Sequence, residues 1–230
     1  MKNALALRQS LRKLAVIGLL LSMSACARKQ VTRAEWLQMS AHTFKNTTVE
    51  DVLQTGEKLL ELCDGTDVTF AHSPTRMTAD RSYMVYAVLA VSFGHYIFDF
   101  SATQQGEDVV TQLLISESVQ AYSGMAPAAG GMVQGSPLSD RAAYDLFYSR
   151  AESLLHGSPW MTCDVARYRY GQQATDSLCL NADDDIPDGV ALVPSEKKAG
   201  ATCWKSRDCA SGFRCQAGRG GFPQCVKDSG

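Results

Sequence analysis

Four of the eight cysteines in this chain fall in one short run, Cys203-x5-Cys209-x5-Cys215-x9-Cys225. The sizeable apolar residues of that run and its flank are Trp204, Phe213, Phe222 and Val226. So little apolar surface cannot offset the entropy of ordering the backbone, and the segment folds only if it is stapled. Two kinds of staple suit four cysteines. Disulfides persist in an oxidising compartment, whereas zinc knuckles use closer spacings than those seen here. The choice turns on where the chain is delivered, which its N-terminus addresses.

Residues 1–25 carry Lys2, Arg8, Arg12 and Lys13 and no acidic residue, and an apolar run from Leu14 to Ala25 follows those charges. At ~1.5 Å per residue the run spans roughly 18 Å as a helix, short of a ~30 Å hydrocarbon core. A basic flank, a short apolar stretch and small residues at its end predict a signal peptide over 1–25 rather than a permanent span. No later run is long and apolar enough to be a second candidate. The end of this segment, Met23-Ser24-Ala25-Cys26, resembles the bacterial lipoprotein box, usually Leu, a small residue, Ala or Gly, then Cys. Met23 replaces the usual Leu with an apolar side chain of similar volume. The resemblance implies that Cys26 becomes the first mature residue, bearing a diacylglycerol thioether and an acylated amine. Several acyl chains anchor stably where one binds marginally. Ala27, standing where Asp would signal inner-membrane retention, implies the outer membrane of a Gram-negative envelope. The competing expectation is soluble secretion, because Ala25-Cys26-Ala27 also fits a small-x-small site cleaved before Arg28.

Export places the other seven cysteines where disulfides form, and an odd number leaves at least one outside any internal pair. The tail, with Asp208 before its second cysteine and Gly212 between the second and third, resembles small Dickkopf-type cysteine-rich modules. That resemblance implies the crossed disulfides Cys203–Cys215 and Cys209–Cys225, although spacing alone leaves three pairings open. In the body, Cys63 ends a run of apolar residues at helical spacing, Val49, Val52, Leu53, Leu59 and Leu60, and reads as a buried, inert thiol. Cys163 and Cys179 are then expected to pair, with Cys63–Cys163 as the alternative.

The net charge of −2 conceals an asymmetry: residues 26–195 hold 11 basic and 21 acidic side chains, and residues 196–230 hold seven and three. An acidic body argues against nucleic acid as the main partner, because phosphate contacts require a basic surface. The expected partners are the membrane, through the anchor, and envelope proteins.

Periodicity places helices at 32–45, at 48–63 with a capping box Thr47-x-x-Glu50, and at 139–156 between Ser139 and Gly157. Between them, alternation predicts a short strand at 66–72, a doubly covered strand at 82–92, a turn at Gly94, and strands at 95–102 and 108–117. The Gly-rich segment 123–137 reads as a long loop, and 160–194 as irregular. The expected fold class is α+β: an antiparallel meander of three to four strands packed by helices on one face, with a small disulfide-stapled C-terminal module. The expected division is a signal peptide at 1–25, an anchor segment and first helix at 26–48, the α+β domain at 49–194, a linker at 195–202 and the cysteine-rich module at 203–230.

Two patterns bear on chemistry. Ala90-Val-Ser92-Phe-Gly94 is a variant nucleophile elbow, and a periplasmic serine hydrolase would pair Ser92 with His95 or His156. A strand rather than a helix follows Ser92, so a hairpin residue is the favoured reading. Asn181-Ala-Asp183-Asp184-Asp185-Ile-Pro-Asp188-Gly189 clusters carboxylates, and Asp183, Asp185 and Asp188 are weak candidates for calcium in an adhesion module. The sharp-turning glycine of calcium loops is missing. No motif implies a cofactor or a catalytic metal. Together these features predict a lipid-anchored envelope protein with a binding or structural role, not an enzyme.

Overall fold

Alternating burial sets the architecture. In β3 (Arg76–Ala87) Met77, Ala79 and Arg81 are buried; in β4 (Ala90–Gln105) Tyr96, Phe98, Phe100 and Ala102; in β5 (Asp108–Ser123) Val109, Thr111, Leu113 and Ile115. A period of two puts each set on one face of its strand. The computed structural model describes residues 31–64, 67–87, 90–123, 135–179, 186–203, 209–217 and 223–228. It joins these strands into an antiparallel sheet in the order β1–β5–β4–β3–β2, with β1 at Ala41–Phe44, β2 at Val68–Ser73, and a two-residue β6 (Ser136–Pro137) also pairing with β5. Register aligns the buried sets: Phe98 lies between Ala79 and Ile115, and Phe100 between Met77 and Leu113. The chain is α+β, and the meander β2–β3–β4–β5 makes up most of its sheet, with β2 at one edge.

The helices cover that buried face. After α1 (Arg33–Met39) comes α2 (Val49–Asp64), whose Val52, Leu59 and Leu60 are buried. Gly56 sits where a Cβ would lie 3.1 Å from Phe100 Cδ1, so a hydrogen at this position lets α2 approach the sheet closely. Next, α3 (Arg141–His156) is capped by the Asp140 carboxylate, which accepts from the Ala142 amide at 3.0 Å. It ends at Gly157, with φ of 70°. Phe147 of this helix meets Phe100 edge-on, with ring centroids 5.2 Å apart.

Several local expectations shift. The predicted 32–45 helix divides into α1 and β1, and Phe44 of β1 enters the core with no exposure. The α2 cap is Thr48: its Oγ1 accepts from the Asp51 amide at 3.2 Å and donates to the Asp51 carboxylate at 2.6 Å, one residue beyond the Thr47–Glu50 pattern. Asp140 takes the capping role expected of Ser139. Gly94 is not a turn. It lies within β4 opposite Tyr83, while β3 ends at Ala87 and β4 starts at Ala90, with Val88-Leu89 between them in sequence. A pair of aliphatic residues carries no turn chemistry, so the sequence pattern missed that reversal. The segment read as irregular contains α4 (Cys163–Tyr170) and α5 (Gln172–Cys179). At eight residues each they are too short for a clear helical period, and packing sustains them.

At the C-terminus, β7 (Phe213–Ala217) and β8 (Pro223–Lys227) form a hairpin crossed by Cys203–Cys215 and Cys209–Cys225. Cys203, Cys209 and Cys225 are buried together against Phe213, so sulfur supplies the small core. Closing loops of 12 and 16 residues contributes about 3 kcal/mol per bridge on a chain-entropy basis. The segment 195–202, expected as a linker, holds buried Ser195 and Lys197. The Lys197 carbonyl accepts from the Ala210 amide at 2.8 Å, and its ammonium meets the carboxylate of Asp164 on α4 at 2.5 Å.

Candidate functional site

The helices cover one face of the sheet, and on the other face no described side chain is fully buried. Met84 and Phe93 are direct cross-strand partners there, 37% and 40% exposed. Ile97 and Leu114 continue the apolar strip as half-buried residues. Ion pairs are interleaved with these residues: His95, between Phe93 and Ile97 on β4, has Nδ1 2.8 Å from Asp80 Oδ1, and Arg76 is bidentate on Asp99, the cross-strand partner of Leu114. Exposed apolar side chains alternate with charged pairs across this face. The pairs are largely solvent-exposed, so they add little stability.

Two polar clusters flank the core on the helix side. In the first, Glu152 of α3 joins two histidines: Oε1 lies 2.7 Å from His42 Nε2, and Oε2 lies 2.6 Å from His156 Nδ1. His156 Nε2 is 2.9 Å from the Lys45 carbonyl, and His42 stacks on Tyr148 at 4.8 Å. Burial pushes the Glu152 carboxyl up. The hydrogen bonds and charges of the two histidines outweigh this and hold it below its ordinary range. The cluster fastens β1 to the end of α3. A cavity of about 310 Å³ beside it is lined by Gln38, Arg141, Tyr148 and Glu152, among others.

In the second cluster, Tyr83 and Tyr96 stack at 4.8 Å, and the Tyr83 hydroxyl donates to Glu117 Oε1 at 2.6 Å. Burial, reinforced by Glu117, pushes both phenols well above their ordinary range, so they remain hydrogen-bond donors. Arg81 is 1% exposed and donates to the Ser177 carbonyl at 2.7 Å, tying β3 to α5. Sequence reading missed both clusters. Bonded partners in them lie up to 111 positions apart, and no local spacing signals them.

The sequence-derived candidates are distributed as follows. Ser92 and His95 both lie on β4 at positions of opposite parity, so they face opposite sides of the sheet and form no dyad. His156 is engaged by Glu152 and Lys45. Asp188 is exposed, while Asp183 and Asp185 lie outside the described residues. So do Cys26, the whole of 1–25 and most of the Gly-rich loop. Cys163 and Cys179 are joined, tying the start of α4 to the end of α5. Among the described residues, the group with donor atoms close enough for a metal is Cys203, Cys209 and Cys225, within 4.8 Å. Their sulfurs are already spent in disulfides and offer no thiolate. Among the described residues, no helix is long and apolar enough to cross a membrane.

No family model, no curated protein and no solved structure matches this chain.

Proposed function

We propose that this chain is a lipid-anchored protein of the bacterial envelope, held at the outer membrane through Cys26, with a binding or structural role carried by the sheet face that no described helix covers. The observation that carries the compartment is the sulfur chemistry. Six cysteines form three disulfides, which persist in exported proteins and are rare in reducing cytosol. The basic, apolar and lipobox-like run of residues 1–26 supports the route and the tether. The exposed Met84–Phe93 pair, beside the His95–Asp80 ion pair on the same face, supports binding rather than chemistry.

Intact mass of the protein from the membrane fraction tests this reading. The expected species begins at Cys26, carries diacylglyceryl and N-acyl groups, and contains three disulfides. Cys26→Ser removes the acyl mass and the membrane association. A soluble mature chain beginning at Arg28, with no lipid, overturns the tether. A chain recovered fully reduced from the cytosol overturns the compartment as well.

A further inference from the structure

Arg150 of α3 is 1% exposed, and its side chain ends among sulfur atoms. One terminal nitrogen donates to Cys63 Sγ at 3.2 Å and the other to Cys163 Sγ at 3.2 Å. Its Nε donates to the Met161 carbonyl at 2.9 Å, and the guanidinium carbon lies 4.7 Å from the centre of the Trp160 ring. Cys63, at the end of α2, is 4% exposed and retains its thiol, whereas Cys163 is bonded to Cys179. One planar cation therefore holds a thiol sulfur and a disulfide sulfur on adjacent nitrogens of the same fork.

We propose that Cys63, Cys163 and Cys179 form an internal disulfide-exchange centre, with Arg150 as its positioning residue. A buried guanidinium favours an anion beside it, so its bond to Cys63 Sγ lowers the cost of ionising that thiol. This charge arrives from a helix 87 positions away, so no local spacing signals it. The thiolate of Cys63 attacks Cys163 Sγ. The Cys63–Cys163 bond forms, the Cys163–Cys179 bond breaks, and Cys179 leaves as a thiolate that takes up the proton released from Cys63. No external oxidant or reductant is consumed. Cys163 is the sulfur attacked, because it shares the guanidinium with Cys63.

The two isomers constrain different parts of the fold. Cys163–Cys179 staples α4 to α5 across 16 residues. Cys63–Cys163 instead staples α2 to α4, closes a much longer loop and releases the end of α5. That end carries the Ser177 carbonyl bound by Arg81 and the Cys179 carbonyl bound by Arg167, so exchange loosens the hold of α5 on the sheet and on α4.

The test uses the full chain. After incubation at mildly alkaline pH, the protein is quenched in acid, unfolded, labelled with N-ethylmaleimide and mapped by peptide mass. Label on both Cys63 and Cys179, with Cys163 unlabelled, is expected. Label confined to Cys63 at every time overturns the proposal. In Cys179→Ser, oxidised glutathione should close Cys63–Cys163 and lower the thiol count of these positions from two to zero. A folded Cys179→Ser chain that keeps both thiols, or carries glutathione on Cys163, overturns it. Arg150→Gln should slow appearance of label at Cys179 by tenfold or more, while Arg150→Lys stays within a few-fold of wild type. Equal rates in all three remove Arg150 from the centre. If neither arginine variant folds, the wild-type labelling pattern decides.

Discussion

Gly94 lies directly beneath the ring of Tyr83: a Cβ at Gly94 would fall 2.2 Å from Tyr83 Cζ. The ring can lie flat across β4 because its cross-strand partner has no side chain, and there it stacks on Tyr96 and reaches Glu117. Gly94→Ala should displace the ring and cost about 1–3 kcal/mol through overpacking. Urea denaturation measures this. Tyr83→Ala in the same chain should recover most of the loss, and a Gly94→Ala variant as stable as wild type would contradict the packing.

Glu152 predicts an acid limb of stability. Its folded carboxyl titrates below the ordinary value of 4.5. The unfolded chain therefore binds the proton first as pH falls, so the contribution is present above about 4.5 and lost as pH drops through the lower folded value. Glu152→Gln should be less stable than wild type near neutrality, and the gap should close on acidification. Midpoints that stay in parallel down to low pH would remove Glu152 as the source.

The register of α2 can be tested at two adjacent threonines. Thr48→Ala removes the oxygen that accepts from the Asp51 amide and should cost about 1 kcal/mol. Thr47→Ala should cost much less, since Thr47 contributes its backbone groups, to Glu107 and Gln104. Equal losses would mean that the cap is misassigned.

Lys197 and Asp164 dock the stapled module on α4, with both carboxylate oxygens within 2.6 Å of the ammonium. Asp164→Asn leaves a buried ammonium without its counter-charge, at a cost of about 1–2 kcal/mol given the partial exposure of Asp164. Faster proteolysis within 198–202 is the expected readout. Lys197→Met in the same chain should restore protection, because removing both charges is close to neutral. Unchanged cleavage in Asp164→Asn would show that the module is held elsewhere.

Much of this architecture was legible before any coordinates. Helical spacing of Val52, Leu59 and Leu60 marked α2, alternation of Tyr96, Phe98 and Phe100 marked β4, and four cysteines beside few apolar residues marked a stapled module. These signals are local, because strand and helix periods are written in consecutive residues. The reversal between β3 and β4 was hidden, since Val88 and Leu89 have no turn chemistry. Gly94 misled because a glycine that admits a neighbouring ring looks in sequence like a glycine that turns the chain.

The order of residues by itself determined the fold class and the need for sulfur staples, because period and apolar content are sums over short windows. Tertiary structure alone decided that His42 and His156 share Glu152, that Ser92 and His95 face opposite ways, and that Arg150 lies on Cys63 and Cys163. Those relationships join residues distant along the chain or depend on which face a strand presents. Close packing of helices on the sheet brings them within bonding distance, and no window of sequence contains that information.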